Sequence, residues 1–232
     1  MMNSERTTGR PRALVTGGNG RLGLAVSQWL SAAGFEVHVT VREESARAAV
    51  GSGVTAHVGD LSVEADVKRI FAEVGSPLAA LVATVGGFHG GPFAEMDEAA
   101  IDFQYRLNLK SSILTLVHAH AALAAHPGGG SAVLIANRPS LSSGPGVAVT
   151  TAMKAGIVSL VKSLAEEWKP DGIRVNAVAP SIMDTPENRR AMPDADPALW
   201  PTTSQVAEVI GFLVSDAGSI VSGTVVPVFG RA

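Results

Sequence analysis

Cysteine is absent from the 232-residue sequence. A disulfide framework, a thiolate nucleophile and a thiolate metal site are therefore excluded, and a cytoplasmic location is expected. Tyrosine is almost as scarce, with Tyr105 as the single example, and the formal net charge of −3 argues against a basic nucleic-acid-binding surface. No apolar run approaches the roughly 18 residues of a membrane helix, and the histidines lack metal-ligand spacing. We expect a small-molecule substrate, and no nucleic acid, membrane or metal partner.

The chain does contain a regular alternation of apolar strand-like segments and helical patterns. Hydrophobic residues make up 46% of it, and 25 glycines punctuate it. Strands are expected at residues 13–16, 37–41, 55–58, 78–85, 131–136, 174–179 and 224–228. This alternation predicts a single α/β domain over residues 13–232, with a Rossmann-type doubly wound parallel sheet of about seven strands. The polar residues 1–12 are expected to form a flexible N-terminal tail.

The first expected strand leads into a glycine-rich turn, and an apolar run on helical spacing follows it. Glycines let the backbone approach a ligand closely, and a helix N-terminus offers free N–H groups and a partial positive charge. This arrangement is typical of a site for a dinucleotide pyrophosphate. The expected cofactor-binding residues of the turn are Gly17, Gly18, Asn19, Gly20, Arg21, Leu22 and Gly23.

The residues after the second and third expected strands bear on which dinucleotide is bound. Arg42 follows the second strand, where an acidic residue would bind the ribose hydroxyls of NAD. A guanidinium suits the 2′-phosphate of NADP, so we predict NADP(H) rather than NAD(H) as the cofactor. The alternative, favoured by Glu43 and Glu44 nearby, is that Arg42 is a solvated charge opening a helix. Asp60, before Leu61, is expected to bond an adenine amino group, to cap the next helix, or both.

The order of these elements, with the residues at the strand ends, resembles the short-chain dehydrogenases/reductases over roughly residues 13–230. The matching positions are Thr16, Gly17 and Gly23 of the turn, Asp60 and Leu61, Asn108, Lys154, and Pro180 to Thr185. The resemblance implies a dinucleotide cofactor that is also contacted by Gly86, Lys154, Pro180, Met183 and Thr185. It implies that Lys154 holds the nicotinamide ribose. It further implies a homodimer or homotetramer, paired through helices expected at 97–125 and 149–168.

Within that family, the sequence is similar to the dihydropteridine reductases in three places. These are the GGxGxLG form of the turn, the paired glycines Gly86-Gly87 and Gly90-Gly91, and the segment 184–200. The likeness implies a lid at about residues 183–203, whose apolar Met192 and Trp200 close over a flat substrate beside His89. The alternative interpretation of this segment is a surface loop stiffened by its four prolines.

The sequence departs from the resembled family at the positions that carry its chemistry. In that family a general-acid tyrosine stands four residues before the lysine, but here Thr150 precedes Lys154, and the serine position is Asn137. An aliphatic hydroxyl is far too weak an acid to replace a phenol with a pKa near ~10. The Asn137 amide can donate a hydrogen bond to a substrate, but it cannot supply a proton. The predicted catalytic group is therefore Lys154, Asn108, Asn137 and Thr150, without a tyrosine.

Three functions stay open on these grounds. The leading prediction is an NADP(H)-dependent reductase of a conjugated, pterin-like C=N or C=O compound that needs little acid assistance. In a second version the acid is relocated to His89 or Tyr105, since the pKa of a histidine suits proton transfer near neutrality. The third is a non-redox isomerase or cyclase, or a dinucleotide-sensing binding protein, on the same scaffold.

Overall fold

The computed structural model describes residues 9–231. Seven strands form one sheet in the order β3-β2-β1-β4-β5-β6-β7, and every neighbouring pair is parallel. The strands are β1 Arg12–Thr16, β2 Glu36–Val41, β3 Thr55–Val58, β4 Ala80–Ala83, β5 Ser131–Ile135, β6 Arg174–Pro180 and β7 Val225–Val228. The predicted Rossmann-type doubly wound sheet is confirmed. Because the strand order reverses between β1 and β4, the carboxyl ends of these two strands border a crevice.

The predicted N-terminal tail extends too far into the chain. β1 begins at Arg12, one residue earlier than expected. The Arg10 guanidinium donates hydrogen bonds to two backbone carbonyls of the segment before β2, at 3.0 and 2.6 Å. Arg10 and Arg12 are therefore attached to the sheet layer, whereas residues 1–8 of the predicted tail lie outside the described residues.

Helices connect the strands on both faces of the sheet. Within residues 9–231 the α-helices are α1 Arg21–Ala32, α2 Glu64–Val74, α3 Glu98–Tyr105, α4 Ser111–Ala124, α5 Ala148–Glu167, α6 Pro186–Ala191 and α7 Thr203–Val214. The segment after β2 contains a 3-10 helix, Glu44–Ala49. The helical region expected at 97–125 is divided by a π-helical turn, Arg106–Lys110, which carries Asn108. Such turns are frequent at functional sites.

Alternating strand residues send their side chains to two separate apolar layers, as the period of a strand requires. Leu14 of β1 packs in the layer with α2, α4 and α5, and its neighbour Val15 packs in the layer with α1 and α7. In the second layer α1 and α7 approach closely, since a Cβ on Gly211 would lie only 2.3 Å from the ring of Trp29. Both faces of the parallel sheet are thus covered, which leaves its carboxyl edge free for a site.

Helix α5 is long and apolar enough to cross a membrane by length and composition. In the structure it covers β5 and β6 and buries Ile157, Val161 and Ala165 in the layer with α2 and α4. Its Lys154 is only 7% exposed. The apolar residues of α5 therefore pack against the sheet. The same helix brings a buried cation to the carboxyl edge of the sheet.

Candidate functional site

A cavity of about 760 Å³ lies at the carboxyl ends of β1 to β4. Its walls are the glycine-rich turn, the residues after β2, β3 and β4, one face of α3 and the first turn of α6. The predicted cofactor residues that line it are Gly17, Asn19, Gly20, Arg21, Leu22, Gly23, Arg42, Asp60, Leu61, Gly86, Met183 and Thr185. The predicted cofactor residues Gly18, Lys154 and Pro180 do not line it. The position is the one at which open α/β sheets bind ligands.

The glycine-rich turn has no room for side chains at two of its positions. A Cβ on Gly23 would lie 2.2 Å from the carbonyl oxygen of Gly17, and a Cβ on Gly18 would lie 2.4 Å from the Cβ of Val39. Gly17 also has a φ of 67°, which an L side chain rarely adopts. The N–H groups of the first turn of α1, beginning at Arg21, have no acceptor within the helix and border the cavity. The turn is therefore built to bring backbone donors up to a ligand.

Arg42 and Asp60 form an ion pair on the wall beyond the turn. The Arg42 Nη2 lies 3.4 Å from the Asp60 Oδ2. The other carboxylate oxygen of Asp60 accepts from the Ser62 N–H at 2.8 Å, so this aspartate also stabilises the backbone before α2. Partial burial acts against the ionised carboxylate, but the bonds from Ser62 and the charge of Arg42 hold the pKa of Asp60 below its ordinary value. Asp60 therefore lies on the cavity wall and stabilises the turn before α2, but it does not cap that helix, whose N-cap residue is Val63.

Arg21 is bonded to the predicted lid. Its guanidinium contacts the Glu187 carboxylate in a bidentate manner, with Nη2 to Oε1 at 2.7 Å and Nε to Oε2 at 3.2 Å. The hydrogen bond from Arg21 lowers the pKa of Glu187 to about 2. Both side chains are half exposed. The pair joins the glycine-rich turn to α6 across the edge of the cavity.

The lid has an ordered first half next to the cavity. The Thr185 hydroxyl accepts from the Asn188 N–H at 3.2 Å and so caps α6, while the Asn188 side chain donates to the Met183 carbonyl at 2.8 Å. These three residues line the cavity. Trp200 does not: it is buried, 7% exposed, because the chain returns through Pro197–Leu199 into the protein interior. Met192 is half-buried and is also outside the cavity lining, so the substrate role expected for both has no support from this geometry.

Lys154 and Asn108 meet behind Gly86. The Lys154 Nζ donates to the Ile135 carbonyl at 2.9 Å, and burial lowers the pKa of this lysine to about 8. A Cβ on Gly86 would lie 3.0 Å from the Lys154 Nζ and 3.0 Å from the Asn108 Oδ1. An ammonium group has three N–H donors, and Ile135 takes one of them. Among residues 9–231 the other two have no acceptor, and they lie next to a glycine of the cavity wall.

Asn108 is held from two sides. Its Oδ1 accepts from the Gly87 N–H at 3.1 Å, and its Nδ2 donates to the Gly87 carbonyl at 3.0 Å. The same Nδ2 donates to the Gln104 Oε1 at 2.8 Å. Both Asn108 and Gln104 are fully buried. The contacts with both backbone groups of Gly87 determine which way the Asn108 amide points. In that orientation the Asn108 Nδ2 faces Gln104, so Gln104 must present its Oε1 as the acceptor.

Thr150 is part of the same buried network. Its hydroxyl lies 3.0 Å from the Gln104 Oε1 and 3.1 Å from the His89 carbonyl, and it donates its single proton to one of them. Thr150 is 3% exposed and does not line the cavity. The residue missed by the sequence reasoning is Gln104. Its signal was its position four residues before Asn108, since residues four apart share a helix face.

Asn137 is used partly as a local cap. Its Oδ1 accepts from the Ser140 N–H at 3.0 Å, and the Ser140 hydroxyl donates to the Asn137 carbonyl at 2.6 Å. This closes the short turn Arg138–Ser140 after β5. The amide nitrogen of Asn137 has no acceptor within the described part of the chain, but Asn137 does not line the cavity.

The two relocated-acid candidates are near the surface. The side chain of His89 is exposed, and only its backbone carbonyl contacts Thr150. Tyr105, the last residue of α3, is 40% exposed. No group of three or more histidine, aspartate or glutamate side chains in residues 9–231 is arranged to hold a metal ion. Of the four predicted catalytic residues, Lys154 is therefore the one with a charged side chain, and it is buried.

Residues 19–230 match a family model described as Enoyl-(Acyl carrier protein) reductase. Galactitol 2-dehydrogenase of Rhizobium johnstonii is 32% identical to the chain over 243 residues, covering 94% of this chain and 93% of that protein. An uncharacterized oxidoreductase of Bacillus subtilis, YmfI, is 27% identical over 236 residues, covering 94% and 97%. With the parallel sheet and the glycine-rich cavity, these matches show that the chain belongs to the short-chain dehydrogenase/reductase family.

Solved structures agree with this assignment. A short chain dehydrogenase/reductase family protein superposes with a TM-score of 0.87 at 28% identity, covering 97% of this chain and 98% of that one. A protein described as ribose-5-phosphate isomerase from Brucella melitensis has a TM-score of 0.88 at 30% identity, covering 96% and 91%. ElxO with NADP bound shares the fold at 20% identity, with a TM-score of 0.87.

Proposed function

We propose that the chain binds NADP(H) and transfers hydride to a conjugated C=N or C=O bond of a small molecule. The observation that carries this proposal is the placement of Lys154, whose two unpaired N–H groups lie behind Gly86 of the cavity wall. The glycine-rich turn forms the opposite part of the same cavity. A dinucleotide has an anionic pyrophosphate and a ribose diol, which these two sets of donors match.

The residues present fit such a cofactor. The first turn of α1 would hold the pyrophosphate, Asp60 would face the adenine, and Lys154 would bind the nicotinamide ribose. Gly86 supports this fit, because any larger residue would occupy the space between the wall and the lysine. When bound, the cofactor supplies the hydride.

The preference for NADP(H) over NAD(H) rests on Arg42. No carboxylate follows β2 directly, and the Arg42 guanidinium lies on the cavity wall. Its contact with Asp60 is long, 3.4 Å, and the Arg42 side chain is 64% exposed, so little free energy is lost when a phosphate replaces that carboxylate. A guanidinium can pair two phosphate oxygens at once.

The substrate class follows from the missing acid. The Thr150 proton is donated within the protein, so an acceptor that needs a strong proton donor would react poorly. A conjugated C=N bond is already electrophilic, and the free amide N–H of Asn137 would polarise it. We infer a pterin-like compound, because the sequence of residues 184–200 resembles the lid segment of the dihydropteridine reductases, and because Met183, Thr185 and Asn188 line the cavity.

Fluorescence titrations with NADPH and NADH test the proposal. We expect saturation with NADPH and weak binding of NADH, and loss of that preference in Arg42→Ala. The matched control is Glu43→Gln, which changes a neighbouring charge. A turnover screen beginning with quinonoid dihydropterins would follow. Binding of neither nucleotide would end the reductase proposal.

A second function is supported by the same buried network. A dinucleotide-sensing binding protein has no need of a proton donor, and both Thr150 and Gln104 are engaged with other protein groups. This favours such a binding protein, whereas a non-redox isomerase or cyclase on the same scaffold would need another group for its proton transfers. Tight binding of NADPH with no turnover across the screen would favour it.

We also propose a cytoplasmic homodimer or homotetramer. A groove of about 400 Å³ runs between α4 and α5, and its lining is mainly apolar, formed by Ile113, Leu116, Val117, Leu160, Leu164 and Trp168 among others. Val117 is 61% exposed. Light scattering of the purified chain tests this, and a monomer would contradict it.

A further inference from the structure

Four ionisable side chains form a continuous line between β2, β3 and α2, and none of them lines the cavity. His38 and His57 are buried, 6% and 5% exposed. The His38 Nδ1 lies 2.9 Å from the His57 Nε2, and the rings stack with centroids 5.2 Å apart. The His38 Nε2 lies 3.1 Å from the Glu36 Oε1, and the His57 Nδ1 lies 2.8 Å from the Glu73 Oε2. The order is carboxylate, imidazole, imidazole, carboxylate.

All three contacts can be hydrogen bonds only when the two imidazoles carry three N–H groups between them. An ionised carboxylate only accepts, so each outer contact needs an N–H from a histidine. The inner contact needs one more N–H, because one nitrogen must donate while the other accepts. Two neutral imidazoles carry two N–H groups in total, and the line needs three. Two cationic imidazoles would carry four, and two of these would face each other across 2.9 Å.

We propose that His38 and His57 share a single proton at neutral pH, and that this proton ties the β2–β3 edge to α2 and holds the adjoining wall of the cavity. Losing it removes one of the three hydrogen bonds, and adding a second forces two N–H groups together. The contribution of the pair to stability should therefore be greatest when it carries the shared proton, and it should fall at both higher and lower pH.

Charged groups on the neighbouring elements keep both carboxylates ionised. Arg12 of β1 lies 3.5 Å from Glu36, and Arg69 of α2 lies 3.1 Å from Glu73. The hydrogen bond from His38 is the largest cause that lowers the pKa of Glu36. The bond from His57 lowers the pKa of Glu73 in the same way.

The remaining charges around the pair do not add a competing partner for either imidazole. On α2, Asp66 is bonded to Arg69 at 2.9 Å. On the segment after β2, Arg47 donates to the Ala56 carbonyl and pairs with Glu44 at 2.6 Å. Burial lowers the pKa of His38, which opposes a second cationic proton on the pair.

The line continues from Glu73 to the cavity through hydrogen bonds. Arg69 contacts Glu73 at 3.1 Å, donates to the Val58 carbonyl at 2.8 Å and donates to Asp66 at 2.9 Å. The Asp66 carboxylate accepts the backbone N–H of Asp60 at 2.9 Å. Asp60 lines the cavity. We therefore expect a change at the histidine pair to affect the cavity wall through these contacts of α2.

Imidazole ¹⁵N chemical shifts of the wild-type chain give the direct test. Between pH 6 and 8 we expect one shared cationic proton on the pair, with a strongly deshielded inner N–H proton. In Glu73→Gln the neutral amide stabilises that proton less, so we expect its release at a pH lower by about one unit or more. Two imidazoles that titrate independently, or two that stay neutral throughout, would overturn the proposal.

Unfolding by urea as a function of pH gives a second readout. Above the ordinary histidine pKa of ~6.5, unfolding releases the shared proton, so the unfolding equilibrium constant rises by up to about tenfold per pH unit until the native pair deprotonates. Below that pKa the unfolded chain binds two protons and the native pair one, so the constant rises again with acid. The ratio of the wild-type unfolding constant to that of the double variant His38→Phe, His57→Phe should rise on both the acid and the alkaline side. The control variant His126→Gln keeps both imidazoles of the pair and should show the same pH dependence as the wild type. A single slope, or none, contradicts the shared proton.

Hydrogen exchange at the Asp60 amide tests the link to the cavity. Corrected for the intrinsic rate, its protection should fall when the pair deprotonates, and it should fall more than that of the Ala177 amide in β6, whose protection follows the global stability alone. A fall at Asp60 no larger than the fall at Ala177 would remove the second half of the proposal. If the double variant does not fold, the wild-type spectra and Glu73→Gln decide the first half.

Discussion

The guanidinium of Arg21 is bonded to the carboxylate of Glu187 at 2.7 and 3.2 Å, across 166 positions of sequence. One residue is the first of α1 and the other is in the first turn of α6. The pair therefore connects the turn that faces the expected pyrophosphate to the lid that borders the same cavity.

Breaking this pair should speed the release of bound nucleotide. In Glu187→Gln we expect the NADPH dissociation rate, measured by stopped-flow fluorescence, to rise about two- to fivefold, because exposed ion pairs contribute little. The pKa of Glu187 is about 2, so the ion pair is lost only as the pH falls through that value, and the rate should not depend on it between pH 5 and 9. Glu166→Gln, on an exposed part of α5, is the control. An unchanged rate would mean that the lid does not limit release.

A methyl group on Gly86 should block the position where Lys154 and Asn108 meet. Its Cβ would lie 3.0 Å from a polar atom of each residue, closer than most such contacts. We expect Gly86→Ala to weaken NADPH binding at least tenfold while the circular dichroism spectrum stays native. Gly144→Ala is the matched control, because its Cβ would meet only Val147 at an ordinary 3.4 Å. Equal affinity in the two variants would place the nicotinamide end elsewhere.

The buried ammonium of Lys154 should give the protein an unusual pH dependence. Burial lowers the pKa from 10.5 to about 8, so between these values the unfolded chain binds a proton that the native chain does not. Unfolding then takes up a proton, and stability rises with pH in this window. Relative to Lys154→Met, the wild-type free energy of unfolding should increase by about 1.4 kcal/mol per unit between pH 8 and 10. A flat difference in urea denaturation would show that the lysine is solvated.

Placing a tyrosine at position 150 should require a second change. Thr150 is packed against Gln104 with a 3.0 Å hydrogen bond, so Thr150→Tyr alone overfills a buried site and should cost about 1–3 kcal/mol. The double variant Thr150→Tyr, Gln104→Ala makes room for the ring but removes an acceptor of the buried Asn108 amide, so we expect it to stay less stable than the wild type while it gains ketone reductase activity. Thr150→Phe with Gln104→Ala controls for packing without the phenol. Equal activity of the Tyr and Phe versions would show that the site lacks other necessary groups.

Local sequence patterns were sufficient for the sheet and for the nucleotide end of the cavity. Apolar runs bounded by glycine predict buried parallel strands, and residues directly after those strands must meet at one edge. This reasoning predicts that Arg42 and Asp60 lie at the same edge of the sheet, and in the structure they form an ion pair. The resemblance to the short-chain family rested on the same strand ends.

The side-chain partners were not predictable in the same way. Trp200 has the composition of a lid residue, yet the chain path after α6 buries it. Thr150 and Gln104 come from different helices, and their bond depends on the approach of α3 to α5. The hydroxyl that looked available for catalysis is consequently bonded inside the protein.

The sequence by itself determined the class of fold and the position of the glycine-rich turn, because each depends on residues that are neighbours along the chain. The tertiary structure decided which side chains meet. His38 and His57 touch only because the parallel register of β2 and β3 places Thr40 opposite His57 and His38 opposite Thr55. A shift of one residue would send the two imidazoles to opposite faces of the sheet. Strand register and helix approach result from packing over the whole domain.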